Sequence, residues 1–366
     1  MLELWDAFTA WTMHAGMPLV MSYHAVTGSV FLNTEIEGDR GLEYVSNQVL
    51  IPVHYLLAGN KAVYDSETGQ YCISQRFDYR EKHFGYRSVA SMCALPASLV
   101  LGTTLKAVAF LNRDVRERYA KVSHSLKQIQ IKPQLDYYTK LGMQVDGHLD
   151  ELKSVVYQRE PGAEIHLKED KEALANITTL LKKHNIPHWL DCGTCLGAYR
   201  YRGIIPWDKD IDIAVLQSDF DNVKNALKEL NPDKYVVCDW SSRDKEKSYL
   251  MLWMKESGRA LDIYCFGVDE EKSELNAIVS NVDCHLLPES WKVRERRFMR
   301  SMPYDQVFPL KKTLFDGLEV YVPNRTEAYL QQIYGKDLRP AKIYNAQTGA
   351  YEKDLTHPYW QRAHAH

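Results

Sequence analysis

Residues 188–215, HWLDCGTCLGAYRYRGIIPWDKDIDIAV, constrain this chain more than any other stretch. A Gly-Thr pair, Gly193 and Thr194, stands ahead of three aspartates at every second position, Asp208, Asp210 and Asp212. Side chains two apart on an extended strand share a face. The spacing therefore predicts a strand with carboxylates on one side and Ile211, Ile213 and Val215 on the other. Like charges that close raise each other's pKa unless a cation sits between them. Magnesium meets that need, because one or two carboxylates hold it while phosphates and waters complete its shell. A lone Asp-x-Asp also occurs as a solvated edge or a turn, so the argument rests on the longer pattern.

The flanking segments support a phosphate-binding arrangement. Residues 168–184 read as a helix, with Leu174, Ile177, Leu180 and Leu181 on one face, acids early and lysines late. Residues 188–192 then read as a short strand that delivers the Gly-Thr turn, followed by a short helix over 195–201. Gly193 admits a phosphate close to the backbone, with Thr194 beside it, and N–H groups at a helix start face an anion. Arg200 and Arg202, just beyond, are of the type that makes forked phosphate contacts. Pro206 and Trp207 read as a packed turn that sets the entry to the acidic strand. Along a straight strand Asp208 lies roughly 13 Å from Asp212, so all three acids meet one ion only if the chain bends near Trp207.

Residues 217–230 read as an amphipathic helix with Ser218 as N-cap. Three strands are expected after it, at 235–240, 249–255 and 259–266. The last, RALDIYCF, sets Asp262 among strand residues, either as a paired core acid or as a third member of the metal site.

The first 150 residues have a different character. Residues 41–58 place Leu42, Val45, Val49, Val53 and Leu56 at helical spacing, with Pro52 expected to kink the helix. From Ser88 to Leu105 there is no charged residue, with Arg87 and Lys106 at the flanks. Eighteen uncharged residues meet the lower limit for crossing a bilayer. The small-residue content and Pro96 also suit a buried helix or hairpin, so membrane contact through this segment is one of two readings. A basic helical run follows at 112–128, which is either a solvated face or a surface for anionic headgroups. Gly and Pro cluster near 158–163, giving an expected boundary between a mainly helical domain, 1–160, and a catalytic domain, 161–345, with a tail at 346–366.

A formal charge of −3 and the lack of a basic stripe with interleaved aromatics leave no support for a nucleic-acid partner. Seven scattered cysteines argue against a disulfide framework. Cys192 and Cys195 form a CxxC without a second one, and the Cys284–His285 pair is equally unsupported as a metal site. The N-terminal MLELWDAFTAW carries two acids and no basic region, so a cytoplasmic location is expected, at the membrane's cytoplasmic face if 88–105 meets lipid.

Gly193-Thr194, Leu196-Gly197, Arg200 and Gly203-x-Ile205-Pro206-Trp207-Asp208-x-Asp210-Ile211-Asp212 together resemble the LicD/fukutin family, a branch of the nucleotidyltransferase-like superfamily. Phe308-Pro309-Leu310-Lys311-Lys312, Phe315-x-Gly317-Leu318 and Tyr334-Gly335 resemble its C-terminal block. The resemblance covers about 165–340 and implies an α/β (α+β) fold, a mixed sheet flanked by helices. It implies an enzyme that moves phosphocholine or ribitol phosphate from a CDP-activated alcohol to a glycan or glycolipid hydroxyl. In that scheme Asp210 and Asp212 hold Mg2+ or Mn2+, Gly193, Thr194, Arg200 and Arg202 contact phosphate, and Asp208 belongs to the catalytic set. Asp262 acts as general base or second metal ligand. Lys209 stands where the family often has an acid, Cys195 replaces a commoner apolar residue, and the zinc-finger cysteines of fukutin-related members are missing. The alternatives are a nucleotidyltransferase that releases pyrophosphate from an NTP, and a catalytically inactive membrane-associated scaffold.

Overall fold

A computed structural model describes residues 18–361, apart from 20, 68, 80, 129, 146–148, 155, 161–166, 243–244, 280–281 and 283–287. Cys284 and His285 lie outside the described residues. The chain divides into two compact units, Met1–Ile129 and Gln130–His366. The division comes earlier than the Gly and Pro content at 158–163 suggests, because residues from 130 onward are tied into the second unit. Tyr138 is fully buried there and donates to Asp219 Oδ2 at 2.5 Å. Lys132 N donates to Asn222 Oδ1 at 2.8 Å, and Leu152 N to Lys312 O at 2.7 Å. Residues 346–366 are likewise no separate tail as far as they are described. Strand Lys342–Asn345 pairs with strand Ala350–Lys353, and Trp360 Nε1 donates to Ala341 O at 2.7 Å.

In the first unit, β1 (Thr34–Ile36), β2 (Asn60–Asp65) and β3 (Gln70–Gln75) form a three-stranded sheet. Its helices include α1 (Gly41–Val49), α2 (Ile51–Leu56), α3 (Phe84–Ala109) and α4 (Arg113–Lys127). Leu50 separates α1 from α2, and Pro52 sits in the first turn of α2, where its missing N–H is harmless. Segment 88–105 is part of one continuous helix with Pro96 inside it, not a hairpin. Asn112 caps α4 by accepting from Asp114 N at 2.9 Å.

The second unit is built on a seven-stranded mixed sheet flanked by helices. Its central strand is β8 (Ala260–Asp269), which runs parallel to β5 (Asp212–Leu216) on one side. On the other side it pairs antiparallel with β7 (Tyr249–Met254) and, further along, with β9 (Glu274–Ala277). Strand β4 (His188–Leu190) borders β5, β6 (Tyr235–Asp239) borders β7, and β10 (Ser301–Pro303) borders β9. Helix α5 (Leu135–Lys140) is followed by α6 (Lys168–Lys183), which buries Leu174, Ile177 and Leu181 as its apolar spacing predicts. Trp189 packs between Phe266 and Phe308, with ring centroids 5.3 and 5.7 Å away. Burying each such side chain contributes about 1.5–3 kcal/mol.

Two sequence expectations differ in detail. The helix expected over 217–230 is broken into a 3-10 turn at Gln217–Asp219, α8 (Phe220–Ala226) and another 3-10 turn at Leu227–Glu229. Ser218 makes no cap and instead shares a 2.7 Å hydrogen bond with Tyr138 Oη.

A carboxylate cluster at the ends of β5 and β8 forms a candidate metal site

The strand expected over 208–215 begins only at Asp212, and Asp208 and Asp210 sit on the irregular segment before it. A turn at Pro206 and Trp207 supplies the bend, with Asp208 N donating to Ile205 O at 2.9 Å. The acids therefore do not form a row on one strand face. The parallel pairing of β5 with β8 puts Asp212 directly opposite Asp262. As a result, ligand oxygens of Asp210, Asp212 and Asp262 lie within 4.8 Å of one another. Asp210 is exposed, Asp262 half-buried and Asp212 buried, so the cluster grades from solvent at Asp210 to the interior at Asp212.

Asp208 stands beside this trio. Its Oδ2 lies 2.7 Å from where a Cβ on Gly193 would be, so glycine is what admits this carboxylate to the helix start. Burial, and after it the charge of Asp210, push the Asp208 carboxyl up to about 7. Burial and then the charges of Asp210, Asp262 and Asp208 push Asp212 well above the usual carboxylate range. Asp262 rises to about 6, burial outweighing the hydrogen bond it accepts from Tyr249. Such a cluster of oxygen donors, crowded and partly desolvated, fits a hard divalent ion, which would turn mutual repulsion into attraction.

Tyrosines hold Asp262 in place. Tyr249 Oη donates to Oδ1 at 2.6 Å and Tyr264 Oη to Oδ2 at 3.3 Å. The two rings face each other across the β7–β8 pair, stacked at 5.2 Å with 9° between planes. Both carboxylate oxygens of Asp262 are thereby engaged, which suits a fixed ligand better than a mobile base. Tyr264 follows Asp262 by two residues on one strand, so alternation alone could have placed it on the same face.

The Gly-Thr pair lies inside the first turn of α7 (Cys192–Tyr201), which starts earlier than the sequence suggested. The missed signal is Asp191, an aspartate immediately ahead of the helix, which caps it by accepting from Cys192 N at 2.7 Å. Cys192 takes a left-handed conformation, φ 44°, rare for a residue with a side chain. Asp191 also accepts from Arg300 Nη2 at 2.5 Å and from Tyr329 Oη at 2.7 Å, a buried set that anchors the helix start from below. Thr194 is buried, and its hydroxyl accepts from Asp212 N at 2.9 Å. That bond ties α7 to the first residue of β5. Burial pushes the thiols of Cys192 and Cys195 well up, against any thiolate chemistry at the CxxC.

Arg200 and Arg202 are not brought to this cluster. Arg200 is buried at the other end of α7, about 10 Å along the axis from Gly193. Its Nε and Nη2 donate to Leu338 O at 2.6 Å and Arg339 O at 2.5 Å. Arg202 is the left-handed C-cap of the same helix, exposed, with its carbonyl accepting from Asp316 N at 2.8 Å. Adjacency in sequence misled here because an intervening helix carries the arginines away from the Gly-Thr turn.

Two further residues brace the acidic loop. Arg259 donates to Lys209 O, between Asp208 and Asp210, and pairs with buried Asp170 at 3.3 Å. Gly203, upstream, has no room for a Cβ, which would lie 2.3 Å from Asp316 Oδ1 and 2.7 Å from Arg159 Nη1. Asp316 Oδ2 accepts from Ile204 N at 3.1 Å, and Arg159 Nη1 donates to Ile204 O at 2.9 Å. No local pattern announces these long-range contacts.

Residues 185–325 match the family model described as LicD/FKTN/FKRP, nucleotidyltransferase domain. An uncharacterized protein of Rickettsia prowazekii is 30% identical over 167 residues, 45% of this chain and 54% of that protein. Ribitol-5-phosphate transferase FKTN of Mus musculus is 28% identical over 185 residues, 50% of this chain and 36% of that protein. Its Homo sapiens counterpart is 26% identical over 180 residues, 49% and 35% respectively. The match thus spans about half the length of the Rickettsia protein and about a third of the FKTN proteins.

Proposed function

Residues 185–325 belong to the LicD/fukutin family, and on that premise we propose that the second unit is a metal-dependent phosphotransferase. It takes a phosphorylated small alcohol, of the ribitol-phosphate or phosphocholine kind, from a CDP-activated donor to a hydroxyl of a glycan or glycolipid. The observation that carries this reading is the convergence of Asp210, Asp212 and Asp262, from two strand ends and one loop, in one cluster.

Asp210, Asp212 and Asp262 would hold Mg2+ or Mn2+, and the ion would offset the charge of the donor's phosphates. Tyr249 and Tyr264 fix the orientation of Asp262. Arg259 holds the backbone between Asp208 and Asp210, so both carboxylates keep their spacing. The positive end of α7, with Gly193 in its first turn, faces Asp208 and favours an anion at this point.

In the reaction the acceptor oxygen attacks the phosphorus that carries the alcohol. The bond from that phosphorus to the bridging oxygen of CMP breaks, CMP leaves, and the acceptor proton passes to a carboxylate. Asp208 is the carboxylate suited to that proton, since it lies outside the trio while Asp262 is engaged by two hydroxyls. Incubating the full chain with Mg2+, a panel of CDP-alcohols and a hydroxyl acceptor, with phosphorus NMR as readout, tests the proposal. CMP and a new phosphodiester are expected. Pyrophosphate from an NTP, with CDP-alcohols untouched, would overturn it in favour of nucleotidyl transfer.

A further inference from the structure

In the first unit, helices α1 and α3 turn small and polar side chains inward and large apolar ones outward, while Ile36, Leu50, Val53, Tyr119 and Val122 stay buried. Along α3 the buried positions are Ser88, Ser91, Ser98, Gly102, Lys106 and Ala109, one stripe of small and polar residues. Ser98 Oγ donates to Val49 O at 2.5 Å, and a Cβ on Gly102 would meet Leu50 at 2.6 Å, so α3 lies tight against the α1–α2 segment. Lys106 is fully buried and donates to Thr34 O at 3.0 Å and Asn47 Oδ1 at 2.7 Å. The outward positions carry Tyr86, Val89, Met92, Val100 and Leu101, and Val100 is 71% exposed. Only 22% of the apolar window of this helix is buried.

Helix α1 is inverted in the same way. Its periodicity predicts Leu42 and Val45 on a packed face, yet both are exposed beside Tyr44, while Glu43, Ser46 and Asn47 are buried. Glu43 is paired with Arg118 and Asn47 donates to Asp39 Oδ2 at 2.6 Å, so the interior is a hydrogen-bonded ionic network. In water the outer face would leave apolar area uncovered and the inner face would desolvate charge, each unfavourable. Against hydrocarbon the outer face is solvated, and polar groups have to lie inside the bundle, with small residues at the helix contacts.

We propose that α3, with the exposed side of α1 beside it, is embedded in the acyl layer of a lipid bilayer. At about 1.5 Å per residue, 26 residues of helix measure about 39 Å, more than the hydrocarbon thickness of about 30 Å. Helix α4, which follows directly, exposes Arg113, Arg116, Lys121 and Lys127 against Asp114 and Glu117, a surplus suited to anionic headgroups.

The experiment uses two cysteines, both exposed: Cys93 on α3 and Cys72 on β3. The full chain, expressed in cells and also incorporated into vesicles of phosphatidylcholine and phosphatidylglycerol, is washed with carbonate and floated on a density gradient. It is then treated with a membrane-impermeant maleimide before and after detergent, and the labelled peptides are read by mass spectrometry. The proposal expects carbonate-resistant flotation, labelling of Cys72 throughout and loss of Cys93 labelling until detergent is added. It expects Val100→Glu combined with Leu101→Glu to abolish flotation, while Tyr64→Lys on β2 leaves it unchanged. A chain that stays in solution as a monomer without detergent, or floated protein with Cys93 labelled as fast as Cys72, would overturn it. A detergent-free soluble dimer with Cys93 protected would overturn it too, assigning the face to a second copy.

Discussion

The two units use charge in opposite ways. In the second, apolar side chains fill the sheet and helix interior, and carboxylates crowd at one edge where burial, and after it mutual repulsion, raises Asp212. In the first, Glu43, Asp39, Arg118, Asn47 and Lys106 form an interior set of mixed sign, in which burial and then Glu43 push the Asp39 carboxyl up to about 8. The carboxylate cluster is all acid and offers a cation a place, whereas the interior set already includes the cations Arg118 and Lys106. The distinction is first one of partners, and it is accompanied by a difference in exposure, since Asp210 lies in solvent.

Neutralising an acid separates the two cases most sharply. Asp212→Asn or Asp210→Asn should lower turnover by about 10²–10³-fold or more, read as CMP release. The fold of Asp212→Asn should persist without metal with an unchanged or raised melting temperature, because a repelling charge has gone. Arg118→Ala should do the reverse. It leaves Glu43 and Asp39 buried without their cation, destabilising the first unit by about 3–5 kcal/mol in denaturant melts, with no dependence on Mg2+. A metal-dependent melt for that variant would erase the contrast.

Asp208→Asn should reduce turnover by about 10²-fold yet keep metal-dependent stabilisation, since Asp208 lies outside the trio. Loss of both would make it a ligand. The pH response follows from the raised carboxyls. Burial pushes Asp208 up to about 7 and Asp262 up to about 6 in the fold, from the ordinary 3.8. The fold therefore holds protons the unfolded chain has lost, and metal-free stability of the second unit should fall as pH rises from about 4 to about 7. Added Mg2+ should offset that fall, so its effect on the melting temperature should be greater at pH 8 than at pH 5, by about 2–4 °C per kcal/mol. The smallest effect is that of Tyr249→Phe. It removes one of two hydroxyl donors to Asp262 and should lower turnover by about fivefold, roughly 1 kcal/mol, with the melt barely changed.

Much of the second unit was legible because its signals are local. The strand-type run at 259–266 singled out Asp262, the apolar spacing gave α6, and Asp-x-Asp marked the acidic segment. The rest depends on register and distance. Only the β5–β8 pairing brings Asp212 to Asp262, and only the axial rise of α7 explains why Arg200 packs against Leu338 and Arg339. Arg259, Arg300 and Asp316 act across long stretches of chain and left no local trace. In the first unit, periodicity correctly grouped Leu42 with Val45 on one side of α1. It identifies residues that share a face and is silent about the medium that face meets.

Tyr329, with its hydroxyl on Asp191, bears on how this chain could be cut down or grafted. The residue lies past position 325, where the family match ends, and so do the carbonyls of Leu338 and Arg339 that secure Arg200. Arg159, which grips Ile204, lies before its start at 185. A piece trimmed to the matched segment would retain every acid of the cluster and lose three of the ties that hold α7 and the acidic loop in register. The smallest autonomous module should therefore run from about Gln130 to at least Arg339, wider at both ends than the portion shared by sequence.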